Sequence, residues 1–177
     1  MVRPIVLAIG AIPAIVAILI AIPLITKSDI PFSASTPSDK LEIEYTKHQL
    51  KKISFGVTDR VVSQKTEILV IKDDGEIEYT LTEDDVSHPP LTSKIDPQEH
   101  KKLKALIKES GFMTIPSETF PILENVTHYQ KSSVKITLNG MVNQIYWPEH
   151  NATSKFVPPI ITRVESTLDQ VIDQVRE

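Results

Sequence analysis

The spacing of apolar and polar residues changes character several times along this chain. From Pro4 to Thr26 the run PIVLAIGAIPAIVAILIAIPLIT holds 23 residues without a charge. As a helix rising about 1.5 Å per residue it would be about 34 Å long, enough to cross a hydrocarbon core of roughly 30 Å. Residues 1–26 are therefore expected to form a transmembrane anchor. Pro13 removes one backbone donor and should kink that helix, whereas Pro4 and Pro23 lie near its ends. The following stretch, KSDIPFSASTPSD, is rich in Ser and Pro and lacks an apolar period. It predicts a flexible tether over 27–39.

From Lys40 the pattern is that of a folded domain. Leu41, Ile43 and Tyr45 alternate with Glu42, Glu44 and Thr46, the period of a strand with one buried face. Ile53–Val57 reads as a second short strand, the polar residues 58–65 as a connection, and Thr66–Ile71 as a central strand, because Ile68-Leu69-Val70-Ile71 is apolar on both faces. Asp73-Asp74-Gly75 is a turn signal, and Ile77, Tyr79 and Leu81 alternate out of it, so a hairpin is expected. Residues 83–94, with Glu83-Asp84-Asp85 and His88-Pro89-Pro90, read as a loop. A helix start follows: Asp96 as N-cap, Pro97 at the first position and Glu99 as the return arm of a capping box. Leu103, Leu106 and Ile107 form its buried face, and Gly111 fits the left-handed stop, with Phe112 closing onto Ile107 in a Schellman arrangement. Asn139-Gly140 predicts a second hairpin with Leu138 opposite Met141 and Val134 opposite Ile145. Val134, Ile136, Leu138, Met141, Ile145 and Trp147 then share a face with Asn143. After Pro158-Pro159, Ile161, Val164, Leu168, Val171 and Val175 form the stripe of an amphipathic terminal helix. Two repeats are too few for a coiled coil, so this stripe is expected to cover the hairpin. The fold class is α+β: an N-terminal transmembrane helix, then a domain over 40–177 whose mostly antiparallel sheet of two hairpins is covered by two helices.

Composition narrows the function. The formal charge is −4, which offers no general attraction to a polyanion, and no nucleic-acid partner is expected. With no cysteine, disulfides, thiol catalysis, iron–sulfur clusters and thiolate zinc sites are excluded. G-x-S-x-G and phosphate-cradling glycine loops are missing, so no enzyme activity and no cofactor are expected. The five histidines, His48, His88, His100, His128 and His150, include no H-x-H or H-E-x-x-H spacing, so no metal site is expected. Were there one, Glu149-His150 beside Trp147 and His128-Tyr129 would be its pieces. Asp73, Asp74, Glu76 and Glu78 lack the order of a calcium loop and fit a turn better. Lys101, Lys104 and Lys108, with Lys94 nearby, form a basic stripe opposite the apolar helix face, and the default for such a stripe is solvent.

The apolar leader has a competing reading as a signal peptide cleaved near Ser33-Ala34-Ser35, but it exceeds the usual apolar length of such signals, which favours an anchor. Arg3 and Lys27 flank it and leave the charge rule undecided. Two acceptor sequons, at Asn125 and Asn151, suit an outward-facing domain if the host glycosylates. Gly10, Ala14, Ala17 and Ala21 lie along one stripe of the anchor, where small side chains let a partner helix approach closely; the alternative is that this stripe faces lipid.

The succession ISFGVT (53–58), Asp-Gly hairpin, helix ending Glu109-Ser110-Gly111-Phe112, Asn-Gly hairpin and terminal helix resembles small uncharacterised α+β domains found in archaea behind a signal or membrane anchor. The resemblance covers roughly residues 50 to 176. It implies a compact domain on the outer side of the membrane and brings no catalytic residues with it. The expected function is thus a single-pass membrane-anchored interaction or accessory subunit of an envelope complex, partnered by a membrane protein through the anchor helix and by the lipid bilayer. The alternative is a tethered ligand- or metal-binding module exported after signal cleavage.

Overall fold

The structure, a computed structural model, describes residues 35–177. The expected anchor with Gly10, Ala14, Ala17 and Ala21, and the first part of the expected tether, lie outside the described residues. Among the described residues no helix is long and apolar enough to cross a membrane.

The domain is α+β, as its patterning predicts. The strands are β1 (Leu41–Phe55), β2 (Thr58–Ile71), β3 (Glu76–Glu83), β4 (Val86–Ser87), β5 (Leu91–Lys94), β6 (His128–Leu138) and β7 (Met141–Pro148); the helices are α1 (Pro97–Glu109) and α2 (Pro159–Arg176). One antiparallel sheet runs β4-β3-β2-β1-β6-β7, with β5 also on β3. Register puts Ile43 between Ile71 and Ile136, and Tyr45 between Leu69 and Val134. These residues, with Leu41, Ile77, Tyr79, Leu138, Ile145 and Trp147, are buried on one face together with Leu103, Ile107, Ile161, Val164 and Leu168 of the two helices. The opposite face carries Glu44, Thr46, His48, Ile68, Val70, Thr80, Ser133 and Tyr146, all at least partly exposed.

Several local expectations hold. Asn139 and Gly140 both take positive φ, and Leu138 pairs with Met141. The Asp96 carboxylate accepts from the Gln98 and Glu99 amides, Pro97 opens α1, and Gly111 is left-handed just beyond its end. In α2, Ile161, Val164, Leu168 and Val171 are buried as expected, joined by Ile172, while Val175 is only half-buried.

Other elements differ from the sequence reading. Ile53–Val57 is not a separate strand: β1 runs unbroken for 15 residues and β2 for 14, joined at Gly56-Val57. The polar residues 58–65 form strand because β1 supplies partners for all of them but Gln64, which bulges between Ser63 and Lys65, and a ribbon wet on both faces needs no apolar alternation. The expected 83–94 loop contains β4 and β5, which pair with β3 through Glu83↔Val86 and Glu76↔Lys94. His88-Pro89-Pro90 only separates these short edge strands, a place where missing donors cost little. The capping box is half made, since the Glu99 side chain instead accepts from Gln174. The Phe112 amide is satisfied by the Ser110 hydroxyl. Met141, although in register with Leu138, is exposed because β7 is an edge strand. Asn143 Nδ2 donates to the carbonyls of Phe112 and Ile115, tying the end of α1 to β7.

The folded body also begins before Lys40. Asp39 is buried, and it accepts from the Thr36 amide, Asn139 Nδ2 and Lys108 Nζ. Lys104 Nζ donates to the Asp39 carbonyl and to Asp73 Oδ1. Lys104 and Lys108 are therefore not a solvated stripe: they clamp the chain entering β1 and the β2–β3 turn onto α1. The Lys108 ammonium, then the Asn139 and Thr36 donors, hold the Asp39 carboxyl far below the usual carboxylate range.

Gly75 combines φ +83° with close packing, because a Cβ there would lie 3.1 Å from Ile95 Cγ2; at Gly56, φ is +76° and a Cβ would meet nothing within 4 Å. Gly75→Ala is expected to cost about 2–3 kcal/mol of stability and Gly56→Ala about 1, read from urea denaturation of the full-length chain in detergent. Equal losses at the two positions would show that contact with Ile95 is not what constrains the turn.

Candidate interaction surface

Carboxylates and aromatic hydroxyls are the groups from which an active site would have to be assembled, and most of those that are buried converge where α2 crosses the sheet. Glu165 Oε2 accepts from the Trp147 indole N–H at 3.0 Å, and its Oε1 from Ser132 Oγ at 2.9 Å, with Tyr45 Oη and Gln130 Nε2 each at 3.4 Å. One turn later, Asp169 Oδ1 accepts from Tyr45 Oη at 3.1 Å and Lys47 Nζ at 2.9 Å. Burial, and after it the two carboxylates, push the Tyr45 hydroxyl far above its ordinary pKa, so it is a fixed donor. A second cluster lies beside the first. Glu67 accepts from Tyr79 Oη at 2.6 Å, with Lys65 Nζ at 3.4 Å and Arg176 Nη1 at 3.7 Å. Burial raises the Glu67 pKa, but the Tyr79 hydroxyl and the Lys65 and Lys47 ammoniums outweigh it, and the net shift is downward.

This seam has partners for its charges and no free base or nucleophile facing a cleft. What it does chemically is seat a helix in one register on a polar strip of sheet. A groove of 330 Å³ lies beyond it, lined by Tyr79, Leu81, His88, Pro89, Leu91 and Arg176, and no pair of carboxylates meets there.

The histidines are dispersed. His48 Nδ1 is 2.9 Å from Thr66 Oγ1 on the uncovered sheet face, His100 sits on α1, and His88, His128 and His150 are exposed. Among the described residues no three His, Asp or Glu side chains are grouped to hold a metal ion. Glu149-His150 follows β7 and His128-Tyr129 opens β6, so both pieces lie at the same end of that hairpin. Asn125 and Asn151 are exposed, although Ala152 and Thr153 of the second sequon are buried.

The feature sequence reading missed is the far end of the β1–β2 ribbon. Strand β6 leaves β1 at Lys51↔His128, and β3 stops opposite Lys65. Residues 53–60 therefore extend past both neighbouring strands, supported only by their own pairing, Ile53↔Arg60 to Phe55↔Thr58. At this end Phe55 is 63% exposed, Val57 101% and Val61 49%. Register separates two faces. One carries Lys52, Ser54, Asp59 and Val61; there Lys52 Nζ lies 2.7 Å from Asp59 Oδ2, and the Ser54 hydroxyl donates to the other Asp59 oxygen, a brace across the strands. The other carries Lys51, Ile53, Phe55, Thr58, Arg60 and Val62. Among the described residues neither Lys51 nor Arg60 has a carboxylate partner. The signal was in the sequence, as Phe-Gly-Val between Lys51-Lys52 and Arg60, but reading a short strand and a loop there hid it.

No family model matches the chain, and no curated protein is significantly similar to it.

Removing the Glu165 carboxylate leaves the buried Trp147 indole without its acceptor and takes the acceptor from the buried Ser132 hydroxyl, which keeps only the bond it receives from Gln130. Glu165→Ala is expected to lose about 2–4 kcal/mol and Glu165→Gln clearly less, with the fluorescence of Trp147, the single Trp of the chain, reporting the change. Equal losses would mean that side-chain volume, and not acceptor chemistry, holds α2.

The histidines set a pH dependence. Burial first, then Lys131, depresses the His48 pKa; burial first, then Lys104, depresses that of His100. Between these lowered values and the unfolded value of about 6.5 the unfolded chain binds more protons, so stability is full above that pH and falls as pH drops through the window. Denaturation midpoints should decline on acidification from about pH 7.5 to 5.5, and a His48→Gln/His100→Gln variant should flatten the slope. An unchanged slope in the variant would assign the decline to other groups.

Proposed function

We propose that this chain is a single-pass membrane-anchored accessory subunit whose outer α+β body works by contact and not by catalysis. In this reading residues 4–26 stay in the bilayer, the following residues link them to the body, and Gly10, Ala14, Ala17 and Ala21 offer a smooth face to the helix of a partner membrane protein. The observation that carries it is the ribbon end, where Phe55, Val57 and Val61 stand in solvent together on strands that outrun their neighbours. Exposed apolar side chains gathered at one projecting element are a usual mark of an interaction site. Against them, the buried carboxylates Asp39 and Glu67 and the half-buried Glu165 are each spent on donors that hold the body together. Exposure of Asn125 and Asn151 suits an outward-facing domain, as does the resemblance to anchored archaeal domains.

Purification of the full-length chain from its native membranes in mild detergent, followed by mass measurement, tests this. A partner membrane protein is expected to co-purify, and a Gly10→Leu/Ala14→Leu variant should hold it roughly tenfold more weakly while leaving the stability of the body unchanged. A lone monomer in the wild-type preparation overturns the reading.

A further inference from the structure

The ribbon end is more specific than an exposed apolar patch, because its charges and apolar groups are ordered by distance from the tip. Phe55 and Val57 are outermost, joined through Gly56, whose φ of +76° keeps the turn tight. Arg60 lies opposite Ile53, two residues back, and Lys51 lies opposite Val62, two residues further. At about 3.4 Å per residue these cations stand about 7 and 14 Å behind Phe55. Residues 50–65 hold Lys51, Lys52, Arg60 and Lys65 against Asp59 alone, in a chain whose overall charge is −4. Lys52 is engaged by Asp59 and Lys65 reaches Glu67, which leaves Lys51 and Arg60 as the uncompensated pair, both on the face of Ile53, Phe55 and Val62.

We infer that this tip docks on an anionic lipid surface, with Phe55 and Val57 entering the boundary between headgroups and acyl chains and Arg60 and Lys51 meeting the phosphates. Apolar groups of interfacial elements sink about 5–10 Å below the headgroups, which brings Arg60 to phosphate level. Cations near an anionic leaflet each add to the attraction, and added salt weakens it. A protein partner would need an apolar pocket ringed by acids to match the same order, whereas a bilayer presents that order everywhere. The inference rests on the proposal that the chain resides at a membrane.

The chain has no cysteine, so Val57→Cys carries a single environment-sensitive dye at the tip. The labelled full-length chain is reconstituted into phosphatidylcholine vesicles and into vesicles of phosphatidylcholine with phosphatidylglycerol. In the anionic vesicles the dye is expected to shift to the blue, lose several-fold in quenching by aqueous iodide and become quenched by spin-labelled lipid. High salt or Lys51→Glu/Arg60→Glu should reverse all three, with circular dichroism confirming that the variant stays folded. A dye that remains in water on anionic vesicles overturns the inference, whether or not the ribbon meets a protein. Flotation separates the two proposals. A chain that floats with both lipids while its tip stays wet keeps the anchor and loses the docking. A chain that floats only with anionic lipid, and is released by salt, keeps the docking and loses the anchor.

Discussion

The central constraint is the two-sided pairing of β1. It bonds to β2 on one edge and β6 on the other, so its backbone groups are satisfied for most of its length and its side chains alternate without interruption from Leu41 to Phe55. The odd-numbered face then passes through three environments. Leu41, Ile43 and Tyr45 are fully covered by the helices. Lys47 stands in the polar seam against Asp169. Lys51 pairs with His128, the end residue of β6, at the ribbon's base, and Ile53 and Phe55 lie on the part that outruns its neighbours. Core, seam and projecting tip are thus successive stations on one strand.

The seam explains how two helices can cover a sheet whose covered face turns polar halfway along. A helix laid only on aliphatic residues can slide by a turn at modest cost, because its stripe repeats. Glu165 and Asp169 restrict that freedom: each has donors fixed by strand register, and a rotation of the helix about its axis would draw both away from Trp147, Ser132, Tyr45 and Lys47. The hydroxyl of Tyr45 is pushed upward in pKa by burial and then by the two carboxylates, so it stays protonated as a donor to them.

At the other end, electrostatics does what apolar burial does elsewhere. Asp39, Asp73, Lys104 and Lys108 join the start of β1, the β2–β3 turn and α1 within a few ångströms. The Asp73 carboxyl is lowered chiefly by its hydrogen bond to Lys104 and also accepts the Leu41 amide, so the same carboxylate serves the turn and the entering strand. This end is closed and charge-compensated. The ribbon end is open and basic, and that asymmetry gives the domain a direction along β1.

What the sequence determined by itself was local. Asn139-Gly140, Asp74-Gly75, Asp96-Pro97 and Gly111 specify turns and helix limits because each requirement, a positive φ, a missing donor or a capping oxygen, is met within a few residues. The amphipathic stripes of α1 and α2 were legible for the same reason, and with them the α+β class. The tertiary structure decided what depends on partners distant in the chain. Residues 58–65 became strand because β1 lies beside them, and 91–94 because β3 does. Lys104 and Lys108, charged residues on a helix flank, acquired carboxylate partners more than thirty residues away. Glu165 became the acceptor for an indole because a hairpin formed under it. Hydrogen bonds across such separations leave no periodic trace, since either partner alone looks like an ordinary surface residue until the chain brings the two together.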